Sequence, residues 1–513
     1  MSDNNYLNKI DKAALKKKNL EALKHSLKPF ENSKGEYEFN PNNELYQKLI
    51  PRISSIIESM TKNGISLGSN HRSLLHHILK YGNFEKKILL QTCNNILAEE
   101  INNIIPKYIS NTNINFTSSE DLFKNIDISI NKYLLLEHFS NPLIFEILRN
   151  IIICDYRIEN FFTSLRRLIL KEISFEPNKI IEKPNIINLI FSIANNCFLN
   201  EYCWYESPIE KELLKEIDFK LSSNHYERKD LIEFLIFTLG SYKELNKCKS
   251  NKFIQEYVKK NKKTEFIKQI IKDQIEDFKE EKNIEKEIIK IFKIENKTSN
   301  KVKEQYEKYP YPRWNFISYK KNNSYGNLIQ EEYSIPKLKK VERILVAGCG
   351  TGAHPIRIAL ADSEVKIDAL DLSKKSLSYA IRKAKEMSIN NINWYEGDIL
   401  DLDNKKYDLI ECIGVLHHLS NPKVGFKILS NKLEMNGLMR IGLYSRAYRN
   451  QLKDGRKKVL VKGSKKNLKS VQKNRQIIIK DPSLKICTLT PDFYTTSSFV
   501  DLLMHEHETD FNI

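Results

Sequence analysis

Three glycines on alternate positions constrain the fold of this 513-residue chain more than any other feature. Gly348, Gly350 and Gly352 follow an apolar, strand-like run at 344–347 and precede a helix-compatible segment at 353–360. Glycine has no Cβ atom, so it permits a sharp turn and lets a ligand lie against bare backbone at a helix N-terminus. A strand, a glycine turn and a helix in this order predict the start of a nucleotide-binding βαβ unit.

Acidic residues follow the strands that come next. We predict further strands at 365–372, 392–397, 407–413 and 438–444, the last after a turn at Asn436 and Gly437. Asp371 lies about 20 residues beyond the glycines, the spacing at which an acid reaches ribose hydroxyls. Gly348, Gly350 and Ala353 also satisfy the dinucleotide pattern G-x-G-x-x-G/A, so these residues alone leave NAD open as a cofactor.

The full order of motifs resembles the class I S-adenosylmethionine (SAM) dependent methyltransferases over roughly 100 residues. The resemblance implies a Rossmann-like α/β domain and SAM as cofactor. In that family the glycine loop lies beside the methionine part of SAM, and the acids after the second and third strands face ribose and adenine. Carried to this sequence, the SAM-binding residues are Gly348, Gly350, Gly352, Asp371, Leu372, Asp398, Ile399 and Gly414.

Three segments outside this core resemble a bacterial group of methyltransferases with a helical, tetratricopeptide-like N-terminal half. They are the segments 194–204 (ANNCFLNEYCW), 305–314 (QYEKYPYPRW) and 491–507. The first has no catalytic spacing, and packing of a helix explains it as well as function does. In the last, Val500 stands where the family usually has Arg.

The PYPRW segment (residues 310–314) precedes the first strand of the core. Its two prolines forbid a helix and force an extended path. One hypothesis is a lid or substrate wall beside the SAM pocket, with Tyr311 and Trp314 as aromatic surface and Arg313 as an anion clamp. The alternative is a linker that fastens the helical region to the sheet.

The pattern along the chain predicts five parts. Residues 1–40 are a flexible or helical lead, 41–300 an all-α domain, 301–340 a linker or lid, 341–445 the SAM-binding core and 446–513 a mainly helical extension. Apolar residues recur at helical spacing in 41–300, but no 34-residue repeat is convincing. Whether the last strands of the sheet are present, or the chain is a truncated member, stays open.

Methyl transfer from a sulfonium is an in-line displacement, so the protein mainly has to align the donor and acceptor and exclude water. His417, in the sequence GVLHHL after the fourth strand, is a candidate base, against a packing role. Eight cysteines without a C-x-x-C pair, and no histidine cluster at metal spacing, predict no metal site and suit a reducing cytoplasm. We see no signal peptide and no membrane span.

These features predict a cytoplasmic SAM-dependent methyltransferase of an unidentified acceptor, either a small molecule or a protein. One alternative is a scaffold that binds a protein partner through its helical half and carries a vestigial core. The net charge of +18 suggests a second alternative, an RNA methyltransferase. Its phosphate contacts would be Lys457, Lys458, Lys465 and Lys466. However, Lys is abundant along the whole chain. An NAD enzyme ranks third.

Overall fold

The computed structural model divides the chain into two compact units, residues 1–267 and 268–513. It describes residues 19–31, 44–62, 71–81, 86–108, 116–129, 131–223, 228–261, 264–291, 295–317, 319, 324–335, 340–460 and 466–512. Most of the predicted lead at 1–40, and Lys465 of the basic segment, lie outside these residues. None of the helices in the described ranges combines the length and apolar character that crossing a bilayer requires.

The described part of the first unit is helical. Its helices are α1 (Asn19–Leu27), α2 (Glu44–Lys62), α3 (Arg72–Tyr81), α4 (Leu90–Tyr108), α5 (Ser119–Asp127), α6 (Lys132–Phe139), α7 (Pro142–Asn150), α8 (Tyr156–Phe175), α9 (Pro177–Ile181), α10 (Pro184–Leu199), α11 (Pro208–Ser222), α12 (Lys229–Gly240), α13 (Asn251–Lys260) and α14 (Glu265–Ile271), which crosses into the second unit. Their lengths range from 5 to 20 residues. A tetratricopeptide-like repeat therefore stays a prediction.

Local sequence explains where several of these helices begin. Helix α11 starts with Pro208, whose missing N–H costs nothing at a helix start. Before it, the Ser207 side chain accepts from the Glu210 backbone N–H, and the Glu210 carboxylate accepts from the Ser207 N–H at 2.7 Å. This reciprocal capping box satisfies two backbone donors that the helix cannot pair.

The segment 194–204 is a packing element of the first unit. Trp204 and Cys197 are fully buried. The buried Asn196 side chain donates to the carbonyl oxygens of Leu148 and Ile151, at 2.8 and 2.7 Å. These bonds hold α10 against the C-terminal end of α7, which supports the packing interpretation of this segment.

The second unit contains a six-stranded sheet. Its strands are β1 (Ile289–Lys290), β2 (Arg343–Ala347), β3 (Lys366–Asp371), β4 (Ile392–Glu396), β5 (Tyr407–Ile413) and β6 (Leu433–Gly442), in the spatial order β1-β4-β3-β2-β5-β6. Every pairing within the described ranges is parallel. The order reverses between β2 and β5, where a doubly wound sheet opens a crevice for ligands.

The described part of the second unit contains ten further helices. They are α15 (Asp277–Glu287), α16 (Lys297–Lys308), α17 (Tyr325–Tyr333), α18 (Ala353–Ala361), α19 (Lys374–Glu386), α20 (Pro422–Ser430), α21 (Arg446–Gln451), α22 (Lys453–Val459), α23 (Leu468–Lys480) and α24 (Thr496–Leu503). Two apolar core clusters include residues of the sheet. One contains Ile344 and Ile367, and the other contains Leu345 and Ile410. Successive β2 residues point to opposite faces, as a buried parallel strand requires. The predicted fold, a Rossmann-like domain after a large helical region, is confirmed.

The division between the units differs from the predicted end of the helical domain at residue 300. Strand β1 pairs with β4, so residues 289 and 290 belong to the sheet. Helix α15 is tied to α19, because Arg382 forms ion pairs with Asp277 and Glu281, both at 2.9 Å. The charges of α15 therefore take part in tertiary pairing.

The predicted Asn436–Gly437 turn does not precede the last strand. Both residues lie within β6, which begins at Leu433. The pairing with β5 shifts register here, from Tyr407 opposite Leu433 to Leu409 opposite Leu438. Asn436 takes a positive φ of 66°, a conformation that Asn tolerates, so the turn signal produces an irregularity inside a strand.

Candidate functional site

The glycine loop connects β2 to α18 and is fixed to the neighbouring strand. The backbone N–H groups of Gly348 and Cys349 both donate to the carbonyl oxygen of Leu370 in β3, at 2.8 and 2.9 Å. Gly348, Gly350 and Gly352 all have positive φ, at 76°, 54° and 80°. The loop therefore turns through conformations that L-residues disfavour, directly before the N-terminus of a helix.

Asp371 ends β3 and faces the loop. Its Oδ2 atom accepts from the Gly350 N–H at 2.8 Å, and its Oδ1 atom accepts from the Ser373 N–H at 2.9 Å. Burial raises the pKa of this carboxyl to about 6, against the opposing effect of these backbone hydrogen bonds. Each oxygen of a carboxylate accepts more than one hydrogen bond, so Asp371 can take further donors.

The other predicted SAM-binding residues lie at the same edge of the sheet. Asp398, 3% exposed, follows β4 and caps the short 3₁₀ turn Ile399–Asp401 by accepting from the Leu400 N–H at 3.1 Å. Ile399 is buried, and Leu372 is half-buried. Gly414 follows β5 with a φ of 75° and open space where a side chain would point. Parallel strands bring their carboxyl ends to one edge, so the structure assembles all of these predicted positions there.

The PYPRW segment lies against the glycine loop. The carbonyl oxygen of Tyr311 is 2.7 Å from the position that a Cβ atom on Gly350 would occupy. The Thr351 hydroxyl donates to the Pro312 carbonyl, and the Trp314 indole Nε1–H donates to the Thr351 carbonyl at 3.0 Å. Only a residue without a side chain permits this backbone approach at position 350.

Trp314 and Arg313 also contact the surrounding helices. The Trp314 ring meets the Tyr379 ring of α19 edge-on, with centroids 5.9 Å apart. The Arg313 guanidinium lies over the Phe278 ring of α15 at 5.7 Å. Arg313 is therefore engaged with α15, and its role as an anion clamp stays a prediction.

His417 is fully buried and does not face an open pocket. Its ring stacks on Tyr444 with centroids 3.7 Å apart, and neither ring nitrogen has a hydrogen-bond partner within the described ranges. Burial, with the neighbouring His418 and Arg449, lowers its pKa to about 2. A base must reach the proton it removes, so this geometry favours packing over the predicted catalytic role.

The structure assembles a histidine–tyrosine cluster that the sequence interpretation missed: Tyr306, His418, Tyr444, Asp501 and His505. The Tyr306 hydroxyl donates to Asp501 Oδ1 at 2.8 Å, and the Tyr444 hydroxyl donates to Asp501 Oδ2 at 2.7 Å. Tyr306 and Asp501 are 195 positions apart in the chain. Both lie in segments that resemble the methyltransferase group, which was the available signal.

The C-terminal segment holds this cluster against the loop after β5. The Thr509 N–H donates to the His417 carbonyl at 2.8 Å, and the His507 ring Nε2 contacts the Leu419 carbonyl at 3.1 Å. Phe511 pairs with Ser445 just beyond β6. The extension after the core therefore packs against the loop after β5 and against the residues that follow β6.

Comparison with known proteins agrees with this architecture. Residues 338–483 match a family model described as a methyltransferase domain. The chain is 28% identical over 153 residues to a ubiquinone biosynthesis O-methyltransferase of Rickettsia prowazekii, covering 28% of this chain and 58% of that protein. It is 26% identical over 104 residues to a probable (S)-tetrahydroprotoberberine N-methyltransferase of Papaver bracteatum, covering 20% and 29%.

Among solved structures, the PKMT2 protein of Rickettsia typhi in complex with AdoHcy is similar, with 20% identity and a TM-score of 0.32. The similarity covers 39% of this chain and 42% of that one. The chain thus spans less than two thirds of these relatives. What the family match shows is a methyltransferase domain at residues 338–483.

Proposed function

We propose that the whole chain is a SAM-dependent methyltransferase that binds SAM at the carboxyl edge of the sheet, between the glycine loop and Asp371. One observation carries the proposal: Gly350 is a bare, positive-φ position whose N–H meets the carboxylate of Asp371 at 2.8 Å. This pairing places a candidate ribose acceptor, Asp371, beside the glycine loop that precedes the N-terminus of α18. Asp398 and Ile399 would face the adenine.

Methyl transfer from SAM requires the protein mainly to align the methyl donor with the acceptor. The methyl carbon of SAM is already activated by the positive sulfur, so positioning the donor and acceptor and excluding water supply most of the acceleration. The PYPRW segment serves both needs in this proposal, because it covers the glycine loop and is anchored by Trp314 to Thr351. It acts as a lid over the methionine end of SAM.

Titration calorimetry with SAM and with S-adenosylhomocysteine tests the proposal. We expect binding by the wild-type protein and a loss of about 1–3 kcal/mol in Asp371→Ala, from missing charged hydrogen bonds. Failure of a folded sample to bind at millimolar ligand would favour the scaffold alternative. Binding of NAD in place of SAM would show that the glycine loop serves the dinucleotide pattern.

The RNA alternative has less support from the described residues. Several cations of the basic C-terminal region are paired within the unit: Arg456 with Glu508 at 2.8 Å, and Lys466 with Glu506 at 2.7 Å. An RNA-binding surface predicts salt-sensitive binding that falls when Lys457 and Lys458 are neutralised. Unchanged filter binding in the double variant Lys457→Gln, Lys458→Gln would remove this alternative.

The class of methyl acceptor can be identified by transferring a labelled methyl group to it. The two curated relatives above carry O- and N-methyltransferase names, so we propose a hydroxyl or amine acceptor, on a small molecule or a protein. Incubation of the protein with methyl-labelled SAM and a dialysed cell extract, followed by separation of proteins from small molecules, assigns the class. The control is Asp371→Ala, which at a SAM concentration near the wild-type Kd should label the same fraction more slowly than the wild-type protein does.

A further inference from the structure

The histidine–tyrosine cluster is built around one hydroxyl group. The Tyr306 oxygen lies 2.8 Å from Asp501 Oδ1, 3.1 Å from His505 Nε2 and 3.4 Å from His418 Nε2. His418, Asp501 and His505 are each at most 5% exposed, whereas Tyr306 is half-buried. Tyr306 is therefore the one member of this group of four that is not buried as a residue.

The tautomers of both imidazoles follow from their other contacts. His418 Nδ1 lies 3.0 Å from the His507 carbonyl, which can only accept, so this nitrogen carries the hydrogen. His505 Nδ1 accepts from the His507 backbone N–H at 3.2 Å, so this nitrogen carries none. Burial lowers the pKa of both rings, which keeps them neutral. His418 thus presents a bare Nε2 to Tyr306, and His505 presents an Nε2–H.

These assignments fix the direction of the hydrogen bonds. The Tyr306 oxygen accepts from His505 Nε2–H, and its own hydrogen goes to Asp501 Oδ1, with the bare His418 Nε2 as a second acceptor. A phenol held between one donor and a carboxylate is ready to take a proton on one side and release its own on the other.

A metal ion fits this group less well. His418, Asp501 and His505 are close enough together to be considered as ligands. However, the two imidazole rings are parallel, with an interplanar angle of 5° and centroids 3.7 Å apart. Lone pairs in the planes of parallel rings do not converge on one ion, and the deduced His505 Nε2–H offers none.

We propose that Tyr306 is the catalytic residue that removes the proton of the methyl acceptor, with Asp501 receiving the Tyr306 proton and His505 positioning its oxygen. The acceptor oxygen or nitrogen forms the new bond to the methyl carbon while the carbon–sulfur bond breaks and its electron pair returns to sulfur. The acceptor's proton moves to Tyr306, and the phenol proton moves to Asp501, so charge and atoms balance. This inference rests on the proposed methyltransferase function.

The position of Tyr306 in the fold supports its proposed role in removing the acceptor's proton. Tyr306 lies near the end of α16, five residues before Tyr311, whose carbonyl contacts the glycine loop. His418 follows β5 and Tyr444 follows β6, so the cluster lies at the carboxyl edge, as does the glycine loop. The charged and titratable groups that act on the cluster from neighbouring elements are Tyr311, His417, Arg449, Arg456, Lys466 and Glu508.

Tyr306→Phe tests the proposal with Tyr444→Phe as its matched control, because each phenol donates to one oxygen of Asp501. The assay follows label from methyl-labelled SAM into a dialysed cell extract between pH 6 and 9. We expect Tyr306→Phe to lose at least about 10²-fold in rate at pH 7 and to recover as pH rises, since hydroxide then removes the acceptor's proton. Tyr444→Phe should lose less than about tenfold and keep the wild-type pH profile, and both should bind SAM normally by calorimetry.

Equal losses in the two variants, or an unchanged pH profile in Tyr306→Phe, would overturn the assignment and leave a structural cluster. A wild-type protein that labels nothing would instead contradict the proposed methyltransferase function. The tautomers provide a check that needs no variant. Nitrogen NMR of imidazole-labelled wild-type protein should show Nδ1–H at His418 and Nε2–H at His505, and the opposite pair would refute the network.

Discussion

At the scale of single residues, the site depends on how the fold treats one carboxyl group. Asp371 is buried enough to raise its pKa to about 6, yet backbone N–H groups at both oxygens support its charged form. A ribose hydroxyl donates to a carboxylate more strongly than to the neutral acid. The protonation state of Asp371 should therefore control the affinity for SAM.

We predict that SAM binding weakens as pH falls through 6. Protonated Asp371 is the form that accepts ribose hydroxyls poorly, so below its pKa of about 6 the Kd should rise by up to about tenfold per pH unit. Calorimetry at pH 5 to 8 measures this. Asp371→Asn should bind weakly at every pH, and a wild-type Kd that is constant across this range would contradict the role.

A second prediction concerns the effect of alanine at Gly350 and at Gly414. In Gly350→Ala the new Cβ atom would lie 2.7 Å from the Tyr311 carbonyl oxygen, and the backbone would also have to keep a φ of 54°. In Gly414→Ala the φ of 75° is equally unfavourable, but the space is open. We expect the Gly414 variant to lose about 1–2 kcal/mol of stability from backbone strain alone, and the Gly350 variant to lose more and to displace the PYPRW segment. Urea unfolding and limited proteolysis near residue 312 compare them.

At the scale of elements, the PYPRW segment is held by a loop and by two helices. Trp314 fastens it to the glycine loop through Thr351 and to α19 through Tyr379. Arg313 fastens it to α15 through Phe278. All three partners belong to the second unit, so these contacts hold the segment against the glycine loop, and its role as a lid stays a prediction.

We predict that Trp314→Phe loosens the lid. The change keeps an aromatic ring against Tyr379 but removes the indole donor to the Thr351 carbonyl, a bond worth about 0.5–1.5 kcal/mol net. SAM should dissociate about 2- to 10-fold faster in stopped-flow displacement. Trp204→Phe, which changes a tryptophan of the first unit, is the control and should leave the rate at the wild-type value.

At the scale of the whole molecule, one buried cluster dominates the response to acid. His417, His418 and His505 all have pKa values lowered by burial, so they stay neutral in the folded state and bind protons on unfolding below pH 6.5. Asp371 opposes one of them, because its raised pKa makes the folded state bind a proton below about pH 6. Through these four groups, the unfolded state therefore binds more protons than the folded state near pH 5.5.

The free energy of unfolding of the second unit should accordingly decrease as the pH falls below about 6.5. Urea titrations between pH 5 and 8 measure this slope. His417→Phe replaces an imidazole whose nitrogens have no hydrogen-bond partner in the described ranges, so the variant should keep the fold. Its unfolded state binds one proton fewer, so the slope of the free energy of unfolding against pH should decrease by about 1.4 kcal/mol per pH unit. A slope equal to that of the wild type would place the acid response elsewhere.

The glycine loop, the order of strands and the acids after them were predictable because each depends on local sequence. Backbone conformation at Gly348 to Gly352 is a property of glycine, and an acid at the end of a parallel strand reaches the same edge in any such sheet. The membership of β1 was not predictable, because a strand of two exposed residues carries no alternating pattern and exists only through its pairing with β4.

The sequence by itself determined the kind of domain and the positions at its ligand edge, since periodicity and glycine spacing act over a few residues. Only the tertiary structure decided which groups meet there. Tyr306 and Asp501 are far apart in the chain, and nothing local indicates that a phenol and a carboxylate will share a proton. Burial, which sets the pKa of His417 and of Asp371, is likewise a property of the packed molecule and not of any segment.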